Sequence, residues 1–304
     1  MTPRFICSVA ARDRDEPLFA TASTVRRWLL VEVHGAWGHD AVADSQLGSH
    51  APAVWRAAMR RQGIRVIAIR RDLGDGPADT SAGIRLVHMR SGRPGEQVPV
   101  AQRIVVADLR HVVEATESIV GGGDPDGRWE RDDSAYVLVC TNGRHDSCCA
   151  TEGRPLMRHL RTSRWSESVW ECSHIGGDRF AGNIVLLPLG LYFGRCTPAD
   201  ADALLSSMED RRIDLTKFRG RSTFSLLEQA AEHFVRAARG LEGMDAVLAA
   251  RTVDKGIIEL DLAGDTTVRV VVGRRAMAAP TPLTCKGRDG QSYPEYDLRD
   301  LTDV

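Results

Sequence analysis

Short apolar runs and stretches of helical spacing alternate through the first third of the chain. Residues 28–33 read as a buried strand, 51–62 as a helix, and 64–69 and 84–88 as further strands. Val105 leads into a helix expected near 108–118. Alternation of this kind predicts an open sheet covered by helices, an α/β fold. The run from Gly121 to Gly127, GGGDPDG, is strongly turn-forming and marks the clearest internal boundary.

After that boundary the apolar run 135–139 predicts a strand ending at Cys140, followed by a polar loop over 141–147. Residues 154–160 read as a helix with Pro155 in its first turn and Leu156, His159 and Leu160 on one face. A second strand is expected over 168–172. A hairpin of 184–187 and 191–193 follows, turned at Pro188, Leu189 and Gly190. Thr197 as N-cap and Pro198 at the first helical position predict a helix to about 208. This β-α-β-loop-β-β-α order is that of a thioredoxin-like layer. A helix over 225–239, strands over 246–252, 256–262 and 267–272 and a turn-rich end complete the pattern, with no repeat of fixed period.

Composition narrows the function classes. Forty basic residues against 41 acidic ones leave a formal charge of −1, without the footprint of a nucleic-acid binder. No apolar stretch approaches a membrane span, and residues 1–14 lack the features of a signal peptide, so the expected setting is the cytoplasm. Cysteines in a reducing cytosol are more often ligands, redox centres or packing residues than disulfides. Of the seven, Cys140, Cys148, Cys149 and Cys172 lie close together, whereas Cys7, Cys196 and Cys285 read as small buried apolar residues.

The clustered residues suit a metal or cluster site, which needs soft donors delivered from separate backbone segments. Cys140 leaves one strand, Cys148 and Cys149 close a loop, and Cys172 and His174 leave the next strand. If those strands pair in parallel, their ends lie about 5 Å apart. Gly176 and Gly177, just before Asp178, would let backbone approach a cluster and donate N–H groups to sulfur. Zinc is the competing metal, weakened by the lack of a tight CxxC pair.

The segments VCTNGRHDSCC (139–149) and ECSHIGGDRFAGN (171–183) resemble the sucrase/ferredoxin-like family, and more narrowly its bacterial branch. The similarity extends to Arg26, Arg27, Trp28, Leu29 and Leu30 near the start. The resemblance implies a thioredoxin-like [2Fe–2S] ferredoxin, the cluster being held in eukaryotic members by a Cys-x8-Cys and a His-x3-His pair. Cys140 and Cys149 have the first spacing, and His174 matches the first histidine, but Asp178 stands where the second histidine is expected. Pro188, Gly190, Thr197 and Pro198 keep the register of related all-cysteine ferredoxins. The fourth ligand is expected to be Cys172 on thiolate chemistry, with Asp178 on register and Cys148 on proximity as the alternatives.

The expected organisation is then an N-terminal α/β domain over 1–120, a candidate for a second thioredoxin-like layer without ligands. A Gly-rich linker over 121–132, a ferredoxin domain over 133–215 and a helix-plus-β region over 216–304 follow. The expected function is one-electron relay through the cluster, with redox donor and acceptor proteins as partners and neither nucleic acid nor membrane. A glycosidase would need a carboxylate pair across a scissile bond, and no spacing singles one out. A thioredoxin-type thiol oxidoreductase using Cys148 and Cys149, and a zinc-stapled interaction module, are the alternatives.

Overall fold

The apolar runs become strands of two sheets in a computed structural model that describes residues 5–71, 82–93 and 101–304. The first half contains α1 (Cys7–Asp13), β1 (Arg27–Glu32), α2 (Gln46–His50), α3 (Ala53–Arg61), β2 (Ile64–Arg70) and β3 (Ile84–Arg90). It closes with β4 (Ala101–Val106), α4 (Val112–Ala115), α5 (Glu117–Val120) and β5 (Glu130–Asp132). The second half runs β6 (Tyr136–Cys140), α6 (Ser147–Arg161), β7 (Val169–Cys172), β8 (Ile184–Leu187), β9 (Leu191–Phe193), α7 (Pro198–Glu209) and β10 (Phe218–Arg221). A last unit packs α8 (Leu226–Arg239) on β11 (Val247–Asp254), β12 (Ile257–Leu262), β13 (Thr266–Ala278) and β14 (Ser292–Asp303). The class is α/β, as the alternating pattern predicts.

The two halves repeat one pairing scheme. β1 pairs in parallel with β2 and antiparallel with β3, which pairs antiparallel with β4. β6 likewise pairs in parallel with β7 and antiparallel with β8, which pairs antiparallel with β9. The halves join where β2 meets β7 antiparallel, Ile69 opposite Cys172 and Arg70 opposite Glu171. With β5 and β10 at the edges this makes a continuous ten-stranded sheet among the described residues.

Strand alternation sorts the core into layers. In β6, Val137 and Val139 pack against Leu156, Met157 and Leu160 of α6. Each buried side chain of that size contributes about 1.5–3 kcal/mol. Tyr136, Leu138 and Cys140 face the other way, into a core shared with Trp28 and Leu30 of β1 and Ile67 and Ile69 of β2. The first half covers its opposite face with α3, α4 and α5, through Trp55, Met59, Val112 and Ile119.

Three local expectations differ from the fold. Residues 121–132 are not all linker, because Glu130–Asp132 adds β5 to β4 and Trp129 is buried with Nε1 donating to the Ala115 carbonyl at 3.1 Å. The C-terminal end is a long strand, since Tyr293 and Tyr296 are buried while the charged residues from Asp297 to Asp300 face solvent and mask the period. Helix α6 begins at Ser147, well before Pro155, which sits in its interior. Asp146 caps it, its carboxylate accepting from the Cys148 N–H at 2.9 Å, so Cys148 and Cys149 occupy the first turn and not a loop.

Candidate metal centre

Parallel pairing of β6 with β7 places Cys140 directly beside Cys172, and the turn after β7 continues toward the start of α6. Gly176 and Gly177 both adopt left-handed backbone, with φ of 98° and 83°. A Cβ on Gly177 would lie 2.3 Å from the Arg219 guanidinium, so glycine is required there for contact as well as for conformation. That doubled turn swings Asp178 back beneath His174, whose Nδ1 lies 2.9 Å from Asp178 Oδ1.

Two donor trios share His174. The ligand atoms of Cys140, Cys149 and His174 lie within 4.8 Å of one another, as do those of His145, His174 and Asp178. Cys149 Sγ is 3.8 Å from His174 Nδ1 and 3.5 Å from Asp178 Oδ1. The two cysteines and Asp178 are buried, while His174 and His145 are half-buried. The rings of His174 and His145 stack at 3.8 Å, and His145 stacks on exposed His39 at 4.5 Å. All three histidines line an open cavity of about 240 Å³.

The electrostatics couple these groups. A hydrogen bond from the Cys149 thiol holds the Cys140 thiol well below its ordinary value, with His174 and the Ile175 backbone acting the same way. The Cys149 thiol is pushed up correspondingly, by Cys140 and then by burial. Burial works to lower the His174 pKa, but Asp178 and Cys140 outweigh it and raise it to about 9. Burial also pushes the Asp178 carboxyl up, yet the hydrogen bond and charge of His174 leave it below its ordinary range.

Beneath the turn lies a cation that sequence patterns do not flag. Arg219 is 1% exposed and donates to the Gly176 carbonyl at 2.9 Å and to Asn183 Oδ1 at 2.8 Å. Asn183 returns a bond to the Gly177 carbonyl at 2.8 Å. The two glycines therefore serve this network through their carbonyls. Burial lowers the Arg219 pKa to about 10, so it stays charged near neutrality.

The structure thus brings Cys140, Cys149, His174 and Asp178 together and adds His145. His145 stands within the Cys140–Cys149 interval and could have been weighed from its position alone. Cys172 belongs to neither trio among the described residues. Its thiol is buried in the shared core, where burial raises its pKa. Cys148 turns away from the site toward Cys7 and Cys285. Trp37 is buried and structural, donating to the Val33 carbonyl at 2.9 Å beneath the Arg70 guanidinium.

The α/β sheet presents thiol, imidazole and carboxylate donors at one strand end, a set that could hold a metal ion. The chain belongs to the sucrase/ferredoxin-like family, whose profile matches residues 18–220. It is 29% identical over 105 residues to altered inheritance of mitochondria protein 32 of Candida glabrata, a match covering 30% of this chain. That match spans about a third of the curated relative, 34% of its length. No solved structure matches. Among the described residues, no helix is long and apolar enough to cross a membrane.

Proposed function

We propose that the chain is a thioredoxin-like ferredoxin of the family's bacterial branch, holding a [2Fe–2S] cluster through Cys140, Cys149, His174 and Asp178. The single observation that carries this reading is the convergence of two thiols, an imidazole and a carboxylate on one strand end, with His174 common to both trios. The donor set fits: two thiols form one pair and His174 with Asp178 the other, at the positions of the family's two ligand pairs. The pairing scheme of β6 to β9 supports the thioredoxin-like layer. Cysteines gathered as donor sets suit a reducing, cytoplasmic setting.

When bound, such a cluster supplies a one-electron couple whose imidazole ligand raises the potential above that of all-thiolate centres. The chain's own groups prepare for it. His174 and Asp178 share a proton across the 2.9 Å contact from Nδ1 to Oδ1, and that proton must leave before the two groups can ligate. Buried Arg219 offsets part of the negative charge gathered at the two thiolates and Asp178. Redox donor and acceptor proteins would approach over His39, His145 and His174, where the site opens to solvent.

The test is an absorption and electron paramagnetic resonance spectrum of anaerobically purified protein, with iron and sulfide assays on the same sample. About two irons and two sulfides per chain, with a rhombic signal on reduction, are expected. A colourless protein with zinc on Cys140 and Cys149 would replace the electron carrier with the zinc-stapled module.

A further inference from the structure

On the far side of the first turn of α6, three cysteines from remote parts of the chain meet. Cys7 opens α1, Cys148 lies next to Cys149, and Cys285 sits in the loop between β13 and β14. Their sulfurs form a nearly equilateral triangle, with Cys7–Cys148 at 3.5 Å, Cys148–Cys285 at 3.4 Å and Cys285–Cys7 at 3.6 Å. Asp146 closes the group, with its carboxylate oxygens 3.8 and 3.9 Å from Cys7 Sγ. All four ligand atoms lie within 4.8 Å of one another.

We infer that Cys7, Cys148, Cys285 and Asp146 form a second, mononuclear metal site whose ion is zinc. A tetrahedral ion with sulfur ligands at about 2.3 Å holds its sulfurs about 3.8 Å apart, close to the triangle seen here. A [2Fe–2S] cluster seats two ligands on each iron, so one of three thiolates would lie on the second iron, further from the other two than this even triangle allows. A disulfide needs sulfurs near 2.05 Å and would leave the third thiol unpaired, whereas these three are evenly spaced. Asp146 is already aimed, since Oδ1 accepts the Cys148 N–H at 2.9 Å and Oδ2 the Cys285 N–H at 2.8 Å. Cys7 and Cys148 are 0% and 1% exposed and packed with Ala181, with half-buried Cys285 and Phe5 packed against them. Zinc takes both thiolate and carboxylate ligands, and four protein ligands with no open position are the form of its structural sites.

The location gives the ion a task. Cys7 and Cys285 both lie outside residues 18–220, so the site adds to what the family match covers. The loop from Ala279 to Gln291 has little core of its own, a small cluster around Leu283 and Tyr293. The ion would tie that loop and α1 to the helix start whose next residue is Cys149. The inference does not rest on the cluster, because no residue is shared between the two sites.

The experiment is metal analysis of full-length protein purified under reductant, comparing wild type with Cys7→Ser, Cys285→Ser and Cys140→Ser. About one zinc per chain is expected in wild type and in Cys140→Ser, falling at least tenfold in the other two. Should those variants fold poorly, wild-type protein stripped by chelator is titrated with Co(II) and Zn(II) and alkylated. Tetrahedral Co(II)–thiolate bands, and protection of Cys7, Cys148 and Cys285 from alkylation by zinc as read by peptide mass spectrometry, are expected. Wild type without zinc and without such protection, zinc lost only in Cys140→Ser, or a disulfide among the three thiols in metal-free protein would each overturn the assignment.

Discussion

His174 meets donors of three kinds, thiol, imidazole and carboxylate, and Asp178 is the one that fixes its ring. Replacing Asp178 by His should therefore retain the cluster and raise its midpoint potential, since a neutral imidazole removes a negative charge. Asp178→Ala should lose most of the iron. Cys172→Ala should keep about two irons per chain, because its thiol is a core group. Iron assay and redox titration of the three variants check this, and loss of iron in Cys172→Ala alone would return the fourth position to that thiolate. Cys140, Cys149 and His174 were legible from spacing and family motif, whereas Asp178 was legible only as an alternative to Cys172, the thiolate that chemistry favours. The Cys7–Cys148–Cys285 group was not, because partners 137 to 278 positions apart leave no local signature. Cys148 looked like a cluster residue only because helix phase, which sends adjacent side chains about a quarter-turn apart, was not yet fixed.

At the scale of elements, strands were easier to read than helix starts. The β6, β8 and β9 runs are buried on both faces, so unbroken apolar sequence marks them. The start of α6 was hidden by Pro155, a first-turn signal that here stands mid-helix, while Asp146 supplied the true cap. The turn from His174 to Asp178 depends on its glycines in a way that can be measured. Gly177→Ala would place a methyl against the Arg219 guanidinium at a φ of 83°. A left-handed alanine alone costs about 1–2 kcal/mol, and displacing a buried arginine that donates four hydrogen bonds adds to it. Chemical denaturation should show a loss of about 2 kcal/mol or more, with lower iron content. An unchanged midpoint would mean that the turn relaxes without disturbing Arg219.

Across the whole molecule, stability depends on acid through histidines remote from the site. Burial lowers His88 of β3 to about 4, helped by Arg27 and Arg90, and burial lowers His233 of α8 to about 4 as well. Both folded values lie below the ordinary 6.5, so the unfolded chain takes up protons first as pH falls. The stability they preserve is complete above pH 6.5 and is lost as pH falls toward 4, by about 3 kcal/mol for each. Urea midpoints should drop steeply over that window, and the double variant His88→Leu with His233→Phe should flatten the drop.

The join between the halves makes the sharpest demand on the whole fold. The equivalence of the halves was not visible as a sequence repeat, because it resides in strand pairing, and different residues fill the two cores. Among the described residues, two pairs of β2 and β7 are in register across the join. One of them is a buried ion pair, Arg70 Nε to Glu171 Oε2 at 2.6 Å, with Glu171 0% exposed. Glu171 also accepts from the hydroxyl of Thr141, the residue after Cys140, and Arg70 donates to the Gly35 carbonyl and lies over Trp37. Removing Arg70 strands the Glu171 carboxylate in the core, which costs about 3–5 kcal/mol, whereas replacing both with apolar groups relieves most of that. Arg70→Leu should lower stability by that amount, and the double variant with Glu171→Leu by less. Because Thr141 and Cys172 flank the pair, Arg70→Leu should also release iron more readily than the double variant. Equal losses in single and double variants would instead show that leucine packing at this join, and not the unpaired charge, sets the cost.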